Sequence, residues 1–245
     1  MNSVIELLKS HRSIRKFTEQ AIAPELFEEL MIAGQAAATS SFLQGSTIIR
    51  VTDKDKRQAI ATLAGNQGYV ASAAEFMVFC ADLKRAGNYC IEYGKPFEGD
   101  YTEHFIIATI DVALMAQSMV TAAESVGLGI CYIGGIRNNP TQVSQLLQLP
   151  LGVYPVFGLC LGYPDQDPEI KPRLPLSVIL KQEVYNEAGD KELIAIYDEQ
   201  IRAYYQSRTG GGHGTSWTEQ VATLLSEKSR PHMKAFLADQ GFKFR

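Results

Sequence analysis

The chain has few residues that could form a disulfide frame or a metal site. Its 245 residues include four cysteines and four histidines. No two cysteines have C-x-x-C spacing, and the histidines lack the spacing that is typical of metal ligands. The residues concerned are Cys80, Cys90, Cys131, Cys160, His11, His104, His213 and His232. We therefore expect reduced cysteines, three of them in apolar runs, and no bound metal.

Signatures of several other protein classes are also missing. The net charge is −4, whereas binding to nucleic acid regardless of sequence needs a basic surface. The N-terminus lacks a charged segment followed by an apolar run, so we expect no signal peptide and predict a cytoplasmic location. Neither the G-x-G-x-x-G dinucleotide fingerprint nor the G-x-S-x-G nucleophile motif occurs. Nucleic acid and membrane are therefore not expected as partners.

The composition is that of a globular protein, and helix signals alternate irregularly with strand signals. Hydrophobic residues make up 46% of the chain and charged residues 20%, which is ordinary for a soluble domain. Apolar, β-prone runs predict strands at 48–51, 76–80, 129–136 and 153–161. Helical spacing predicts helices over 5–10, 54–64, 140–147 and 192–205, and another that starts at Pro24. Together these elements predict an α+β fold with more helix than strand.

Residues 103–126 are apolar on most faces of a helix, and such a helix is either buried or membrane-spanning. Asp111, Gln117, Ser118 and Glu124 interrupt the apolar run before it reaches spanning length. We therefore predict a buried core helix that ends at Gly127.

The end of the chain differs from the rest, because its helices follow the last predicted core strand. Capping-box spacing, seen for Ser3 with Glu6 near the N-terminus, recurs for Ser216 with Glu219. We predict a core over residues 1–190 and a helical extension over 191–245 that belongs to the same domain and packs on a partner subunit.

The most informative segment is residues 11–16, His-Arg-Ser-Ile-Arg-Lys. It combines three fixed cations, an imidazole and a hydroxyl at the end of a short predicted helix. A guanidinium group is a planar fork that matches phosphate oxygens. Because the chain as a whole is acidic, this cluster is a local feature. Two interpretations stay open from the residues alone, a phosphate cradle and a solvated charged stretch.

Three further segments allow both a functional and a structural interpretation. Gly134 and Gly135 follow a strand, either as a plain turn or because a flat ligand leaves no room for a Cβ atom. Lys171 and Arg173 flank a proline in a loop, where they are solvated or meet a developing negative charge. Residues 39–41, Thr-Ser-Ser, end a helix or contact a ligand. One phosphate cradle, a polar helix end, a glycine pair and a cationic loop together suit flavin mononucleotide (FMN).

The same segments resemble motifs of the nitroreductase family. The resemblance is to the oxygen-insensitive NADPH nitroreductases of the major, NADPH-specific type and to the related NADPH–flavin oxidoreductases, and it covers essentially the whole chain. The motifs are His11-Arg12-Ser13-Ile14-Arg15-Lys16-Phe17, Ser41-Phe42-Leu43-Gln44, Ala123-Glu124-Ser125, Tyr132-Ile133-Gly134-Gly135, Lys171-Pro172-Arg173-Leu174-Pro175 and Ser229-Arg230-Pro231.

The resemblance implies a nitroreductase-like fold, in which helices surround a central mixed sheet, and a homodimer with FMN at the subunit interface and a C-terminal arm around the partner. It implies that NADPH reduces the flavin and leaves before a nitroaromatic or quinone takes its place, with no catalytic side chain. The residues that it assigns to FMN are His11, Arg12, Ser13, Arg15, Thr39, Gln67, Tyr132, Ile133, Gly134, Gly135, Lys171 and Arg173. Those that it places near NADPH or substrate are Ser41, Phe42, Glu103, Arg208 and Arg230.

One departure from the family pattern concerns the reductant. After Arg208, where the family often has a further basic residue, this chain has Gly212-His213-Gly214. His213 is therefore the candidate for a weak second contact with NADPH. Two alternatives stay open: a flavin reductase that supplies reduced FMN, and a flavin-binding carrier without efficient turnover.

Overall fold

The computed structural model describes residues 2–209, 214–227 and 229–245. The chain forms two compact units. The first comprises the residues up to Asp167 together with His232–Arg245, and the second is Pro168–Pro231.

The first unit is built on a sheet that has four strands in the described residues. The strands are β1 (Ser46–Arg50), β2 (Glu75–Asp82), β3 (Gly129–Ile133) and β4 (Val153–Gly162), in the spatial order β1-β2-β4-β3. All three strand pairs are antiparallel, so the expected mixed sheet is wrong for this part of the chain. Apolar runs locate strands but carry no information about their direction, which depends on how the connections cross the sheet.

Helices cover the sheet. Those of the first unit are α1 (Ser3–Lys9), α2 (Pro24–Gln35), α3 (Lys54–Leu63), α4 (Tyr69–Ser72), α5 (Lys84–Glu92), α6 (Thr102–Ser125), α7 (Pro140–Leu146) and α11 (Met233–Asp239). Pro24 begins α2 as predicted. The N-cap of α1 is Asn2, whose side chain accepts from the Val4 N–H, and the predicted role of Ser3 is therefore wrong. An asparagine one position earlier competes equally well for this role.

Helix α6 is the centre of the first unit. One of its faces is fully buried against the sheet and α2, and its side chains are Ala108, Val112, Ala116, Met119, Val120 and Ala123. By length and composition alone α6 could cross a membrane, so the expectation that its polar residues interrupt the apolar run below spanning length is wrong. The packing accounts for the apolar character of this one face. The opposite face is exposed at Ile106, Ile110 and Leu114, so the helix is buried on one side only. Gly127 follows it with φ +81°, as predicted for its C-terminal stop.

Apolar side chains fill both faces of the sheet. Cys80, Cys131 and Cys160 belong to the cluster on the side away from α6 and are free thiols, as the sequence predicts. Burial raises the pKa of the Cys80 thiol to about 12, so this group is not reactive near neutral pH. The end of the chain contributes to the core on the α6 side, where the Phe242 ring contacts the Phe105 ring edge to face.

The second unit is helical in its described residues. It contains α8 (Leu176–Ile179), α9 (Asp190–Thr209) and α10 (Trp217–Ser226). Ser216 caps α10, and Glu219 completes the predicted capping box. The Arg202 guanidinium donates to both carboxylate oxygens of Glu219, at 2.9 and 3.1 Å, and thereby joins α9 to the start of α10.

Candidate functional site

Residues 11–16 leave α1 as an irregular segment that lies along the outer edge of β3. The Ile14 N–H donates to the Ile130 carbonyl at 2.8 Å, and the Ile14 side chain is buried. A Cβ atom on Gly129 would lie 2.6 Å from Ile14 Cγ1, so this glycine allows the close approach. Ser13 is half-buried and Arg15 is exposed. The sequence around Ile14 is thus fixed in place by β3, and its polar neighbours are available for binding.

Two side chains of this segment are held by carboxylates that the sequence did not nominate. His11 Nδ1 lies 2.6 Å from Glu124 Oε1, on the last turns of α6. Arg12 forms an ion pair with Asp167, whose side chain is 83% exposed. An exposed ion pair is weak, and a phosphate group could therefore replace Asp167 as the partner of Arg12.

Arg15 and Gln67, which are far apart in sequence, lie on either side of the Tyr69 side chain. The Tyr69 hydroxyl donates to Gln67 Oε1 at 2.6 Å, and Gln67 Nε2 donates to the Ala64 carbonyl at 2.8 Å. Burial raises the pKa of Tyr69, and a hydrogen bond with Arg15 opposes that shift. No sequence signal distinguishes Tyr69 from an ordinary core tyrosine, so this connecting residue was missed.

The glycine pair follows β3 and begins a 3₁₀ turn over Gly134–Asn138. A Cβ atom on Gly135 would lie 2.3 Å from the Ala64 carbonyl oxygen and 2.5 Å from Gln67 Nε2. Packing against these protein atoms therefore explains why residue 135 is glycine. Glycine is therefore required at this position whether or not a flat ligand lies against it. The same packing brings Gly135 beside Gln67.

Tyr132 and Ile133 precede this turn on β3. The Tyr132 ring is half-buried and contacts the Phe157 ring edge to face, with centroids 5.0 Å apart. Burial, with a smaller contribution from the charge of Glu124, raises the pKa of Tyr132 to about 12. Ile133 is fully buried, so its side chain packs in the core and is not available to a ligand.

The predicted pocket residues Ser41 and Phe42 lie in a tight loop between α2 and β1. Both have positive φ angles, +50° and +56°, and the Phe42 side chain is 81% exposed. The Thr39 hydroxyl oxygen is buried and has no hydrogen-bond partner among the described residues. Thr39, with Gln44 and Arg85, lines a cavity of about 490 Å³ between α2 and β1.

The cationic loop belongs to the second unit. Lys171 Nζ donates to the Tyr205 hydroxyl at 2.7 Å, and the Tyr197 hydroxyl donates to the Pro172 carbonyl at 3.0 Å. These contacts hold the loop against α9. The charge of Arg173 acts to lower the pKa of Tyr197, although burial raises it overall.

The remaining residues predicted near NADPH belong to different elements of the two units. Arg208 donates to the Tyr204 hydroxyl at 3.0 Å on α9. Arg230 has a φ of +49° at the end of the second unit, and Glu103 is exposed in the first turn of α6. His213 lies outside the described residues.

The donors in the first unit fit a phosphorylated, polar ligand such as FMN. Arg12 pairs with the exposed carboxylate of Asp167, which a ligand can replace. The Arg15 side chain is exposed, and Ser13 lies between the two arginines in sequence. Two guanidinium groups and a hydroxyl match the several acceptor oxygens of one phosphate. Among the described residues no group of three or more His, Cys, Asp or Glu side chains could hold a metal ion.

Comparison with known proteins identifies the family of the chain. Residues 8–163 match the model of the nitroreductase family, and residues 171–245 match that of the nitroreductase family C-terminal domain. The NADPH-flavin oxidoreductase of Vibrio harveyi is 45% identical over all of both chains. The FMN reductase (NADPH) of Bacillus subtilis strain 168 is 42% identical over 99% of both chains. The crystal structure of nitroreductase A from Vibrio parahaemolyticus superposes with a TM-score of 0.93, 44% identity and complete coverage of both chains. The chain belongs to the nitroreductase family.

Proposed function

We propose that this protein is an FMN-dependent oxidoreductase that takes electrons from NADPH and passes them in pairs to nitroaromatics and quinones. The names of its relatives, an NADPH-flavin oxidoreductase and an FMN reductase (NADPH), support the use of FMN and NADPH. The observation that carries the proposal is the arrangement of residues 11–15 on β3, with Arg15 joined through Tyr69 to Gln67.

In this proposal the chain binds and orients the cofactor. Arg12, Ser13 and Arg15 hold the phosphate, with His11 beside the ribityl chain. Bound FMN supplies the two-electron chemistry, so the protein needs no catalytic acid or base of its own. Thr39, Gln67 and the backbone of residues 132–135 contact the flavin. Lys171 and Arg173 supply positive charge near the N1 side of the ring, which favours its anionic reduced form.

The cofactor and the reductant can be tested in one preparation. The purified protein should be yellow, and its absorbance near 450 nm, typical of oxidised flavin, should bleach rapidly when NADPH is added without oxygen. A colourless protein that takes up no FMN on reconstitution would contradict FMN binding. A yellow protein whose colour persists in NADPH would instead support the carrier alternative.

The choice of electron acceptor needs a separate comparison. Initial rates with nitrofurazone, a quinone and free FMN should be measured at one NADPH concentration. Faster turnover with the first two acceptors supports the proposed nitroreductase. Faster turnover with free FMN supports the flavin reductase alternative, which the names of the relatives favour equally.

The preference for NADPH is assigned to Arg208. The 2′-phosphate is the only large difference between NADPH and NADH, and a guanidinium matches it bidentately. Arg208→Ala should therefore raise the KM for NADPH and hardly change that for NADH. Equal changes for both nucleotides would show that Arg208 is structural, through its contact with Tyr204. His213, with an imidazole that is partly protonated near neutral pH, should strengthen the preference at lower pH.

We further propose a cytoplasmic homodimer. The exposed apolar face of α6, at Ile106, Ile110 and Leu114, supports this assembly because isolated domains seldom leave such a stripe in water. The sequence predicts an arm over residues 191–245, but residues 232–245 belong to the first unit, so residues 191–231 are the part proposed to pack around the partner. Ile110→Glu should give monomers by light scattering. Leu151→Glu, at an exposed leucine outside α6, should leave the dimer intact.

A further inference from the structure

Asp111 is a buried carboxylate on the apolar helix α6. Asp111 is only 1% exposed to solvent. One carboxylate oxygen accepts the Ser40 N–H at 3.0 Å, and the other accepts the Gly45 N–H at 3.3 Å. A carboxylate without bonded partners is costly to bury, and here both oxygens are used to hold the two ends of one loop.

The loop between these two anchors has an unfavourable backbone. Ser41, Phe42 and Gln44 have φ angles of +50°, +56° and +53°, a region that residues with a Cβ atom seldom occupy. Each such residue costs free energy and persists only when its surroundings hold it in place. The charge-assisted hydrogen bonds to Asp111 supply this restraint at both ends of the loop.

The loop also lies very close to α6. A Cβ atom on Gly45 would be 3.3 Å from Ala108 Cβ, one turn before Asp111 on the same face of the helix. A larger side chain at 45 would therefore press against the same helix that provides the carboxylate. The contact and the hydrogen bonds together set the distance between the loop and α6.

We propose that Asp111 is a positioning residue for the substrate pocket. By fixing the backbone at residues 40 and 45 it holds Ser41 and Phe42 in the one arrangement in which they contact an electron acceptor. The Phe42 ring is exposed, so nothing in its own packing determines its position, and the backbone must do so. This inference rests on the proposed function, in which Ser41 and Phe42 line the pocket for NADPH and acceptor.

The test compares three variants of the full-length, FMN-loaded protein. Asp111→Asn keeps the shape of the side chain but turns an NH₂ group toward one of the two N–H donors. Gly45→Ala keeps the buried charge and pushes the loop away from Ala108, so it carries the test if Asp111→Asn fails to fold. Asp55→Asn, at an exposed residue of α3, is the matched control.

Two measurements are made on each variant. Hydrogen exchange read by mass spectrometry should accelerate in the peptide over residues 39–46 for Asp111→Asn and Gly45→Ala, and only there. The KM for nitrofurazone should rise about tenfold for Asp111→Asn and about threefold for Gly45→Ala, with kcat changed less than about twofold. FMN content should stay that of the wild type, and Asp55→Asn should match the wild type throughout.

Three results would overturn the proposal. The first is unchanged exchange at 39–46 in Asp111→Asn. The second is faster exchange with an unchanged KM, which means that the loop is held for another reason. The third is a joint loss of FMN and kcat without a change in KM. If the wild type itself shows no NADPH-dependent turnover, the proposed function fails, and the exchange data still decide whether Asp111 holds the loop.

Discussion

The two compact units differ in how far they bury their apolar side chains. The first unit buries an apolar cluster on each face of a sheet, although Ile106, Ile110 and Leu114 stay exposed. The second buries Tyr197, Ile201 and Tyr204, and leaves other large apolar side chains more than half exposed. These are Leu176, Ile179, Leu180, Val184, Tyr185, Ile196, Leu224 and Leu225. A unit with so small a core depends on further contacts for its stability, whereas the first unit has a core of its own. This difference supports a proposed assembly in which the second unit packs on a partner.

Truncation after Asp190 is the most severe test of this difference between the two units. This removes most of the second unit and also Phe236, Leu237 and Phe242, which are buried in the core of the first. Loss of a buried phenylalanine alone costs about 3–5 kcal/mol, and total stability is only about 5–15 kcal/mol. The truncated chain should lose cooperative unfolding, the dimer and FMN together, as read by calorimetry, light scattering and absorbance. A folded monomer that retains FMN tightly would refute the proposed dimer. It would also show that the removed residues are not needed for folding.

The next largest effect concerns phosphate binding in the first unit. Arg12→Ala and Arg15→Ala should each weaken FMN binding by about 1.5–3 kcal/mol, the contribution of a hydrogen bond to a charged group. The dissociation constants are measured by fluorescence titration of the apoprotein. Lys16→Ala, at an exposed cation of the same segment, is the control and should bind FMN nearly as the wild type does. An equal loss in all three variants would mean that overall charge, rather than a specific cradle, retains FMN.

A substitution that disturbs the packing around Gln67 should have a slightly smaller effect on stability and FMN affinity. Gly135→Ala places a methyl group against the Ala64 carbonyl and Gln67, and overpacking of this kind costs about 1–3 kcal/mol. Thermal unfolding should show a lower Tm, and FMN affinity should fall because Gln67 is displaced. Gly68→Ala is the matched control, since a Cβ atom there meets nothing within 4 Å. A Tm that is equally low in both variants would contradict the packing argument.

The smallest expected effect is an acid dependence of the second unit. The hydrogen bond from Arg202 lowers the pKa of Glu219 to about 2. A depressed carboxyl pKa stabilises the fold above the unfolded value of about 4.3, and this contribution is lost as the pH falls toward about 2. Glu219→Gln keeps a capping-box side chain without the charge. The Tm difference between wild type and variant should therefore shrink between about pH 6 and about pH 3. A constant difference would show that the ion pair contributes nothing, as holds for many exposed pairs.

Local signals in the sequence predicted local structure well. Pro24 begins α2, Gly127 ends α6, and Ser216 with Glu219 caps α10. Each depends on the conformational preference or hydrogen bonding of residues that are neighbours in the chain, so no knowledge of the fold was needed. The short helices α4, α5 and α8 were missed. Two of them have only four residues, which is too short for a helical period to be recognised.

For the candidate site, the sequence nominated residue types but not their partners. The motif over residues 11–16 was found because three cations and a serine are unusual together in an acidic chain. Its carboxylate partners, Glu124 for His11 and Asp167 for Arg12, lie at distant positions. Glu124 stands in a family motif, but no local signal pairs either carboxylate with residues 11–16. Tyr69 is only two positions from Gln67, but nothing in the sequence indicates its hydrogen bond with the distant Arg15.

The sequence by itself determined the family, the positions of the strands, the burial of Cys80, Cys131 and Cys160 and the cationic segment, because these depend on composition and short-range spacing. Only the tertiary structure decided the antiparallel directions of the strands, the reason for Gly135 and the return of residues 232–245 to the first core. It also decided that Asp111, which in sequence only interrupts an apolar run, anchors a strained loop. The physical reason is the same in each case. Hydrogen bonds and close packing join residues that are 20 to 150 positions apart, roughly the span of the domain, and no local preference encodes which of many chemically equivalent partners will meet.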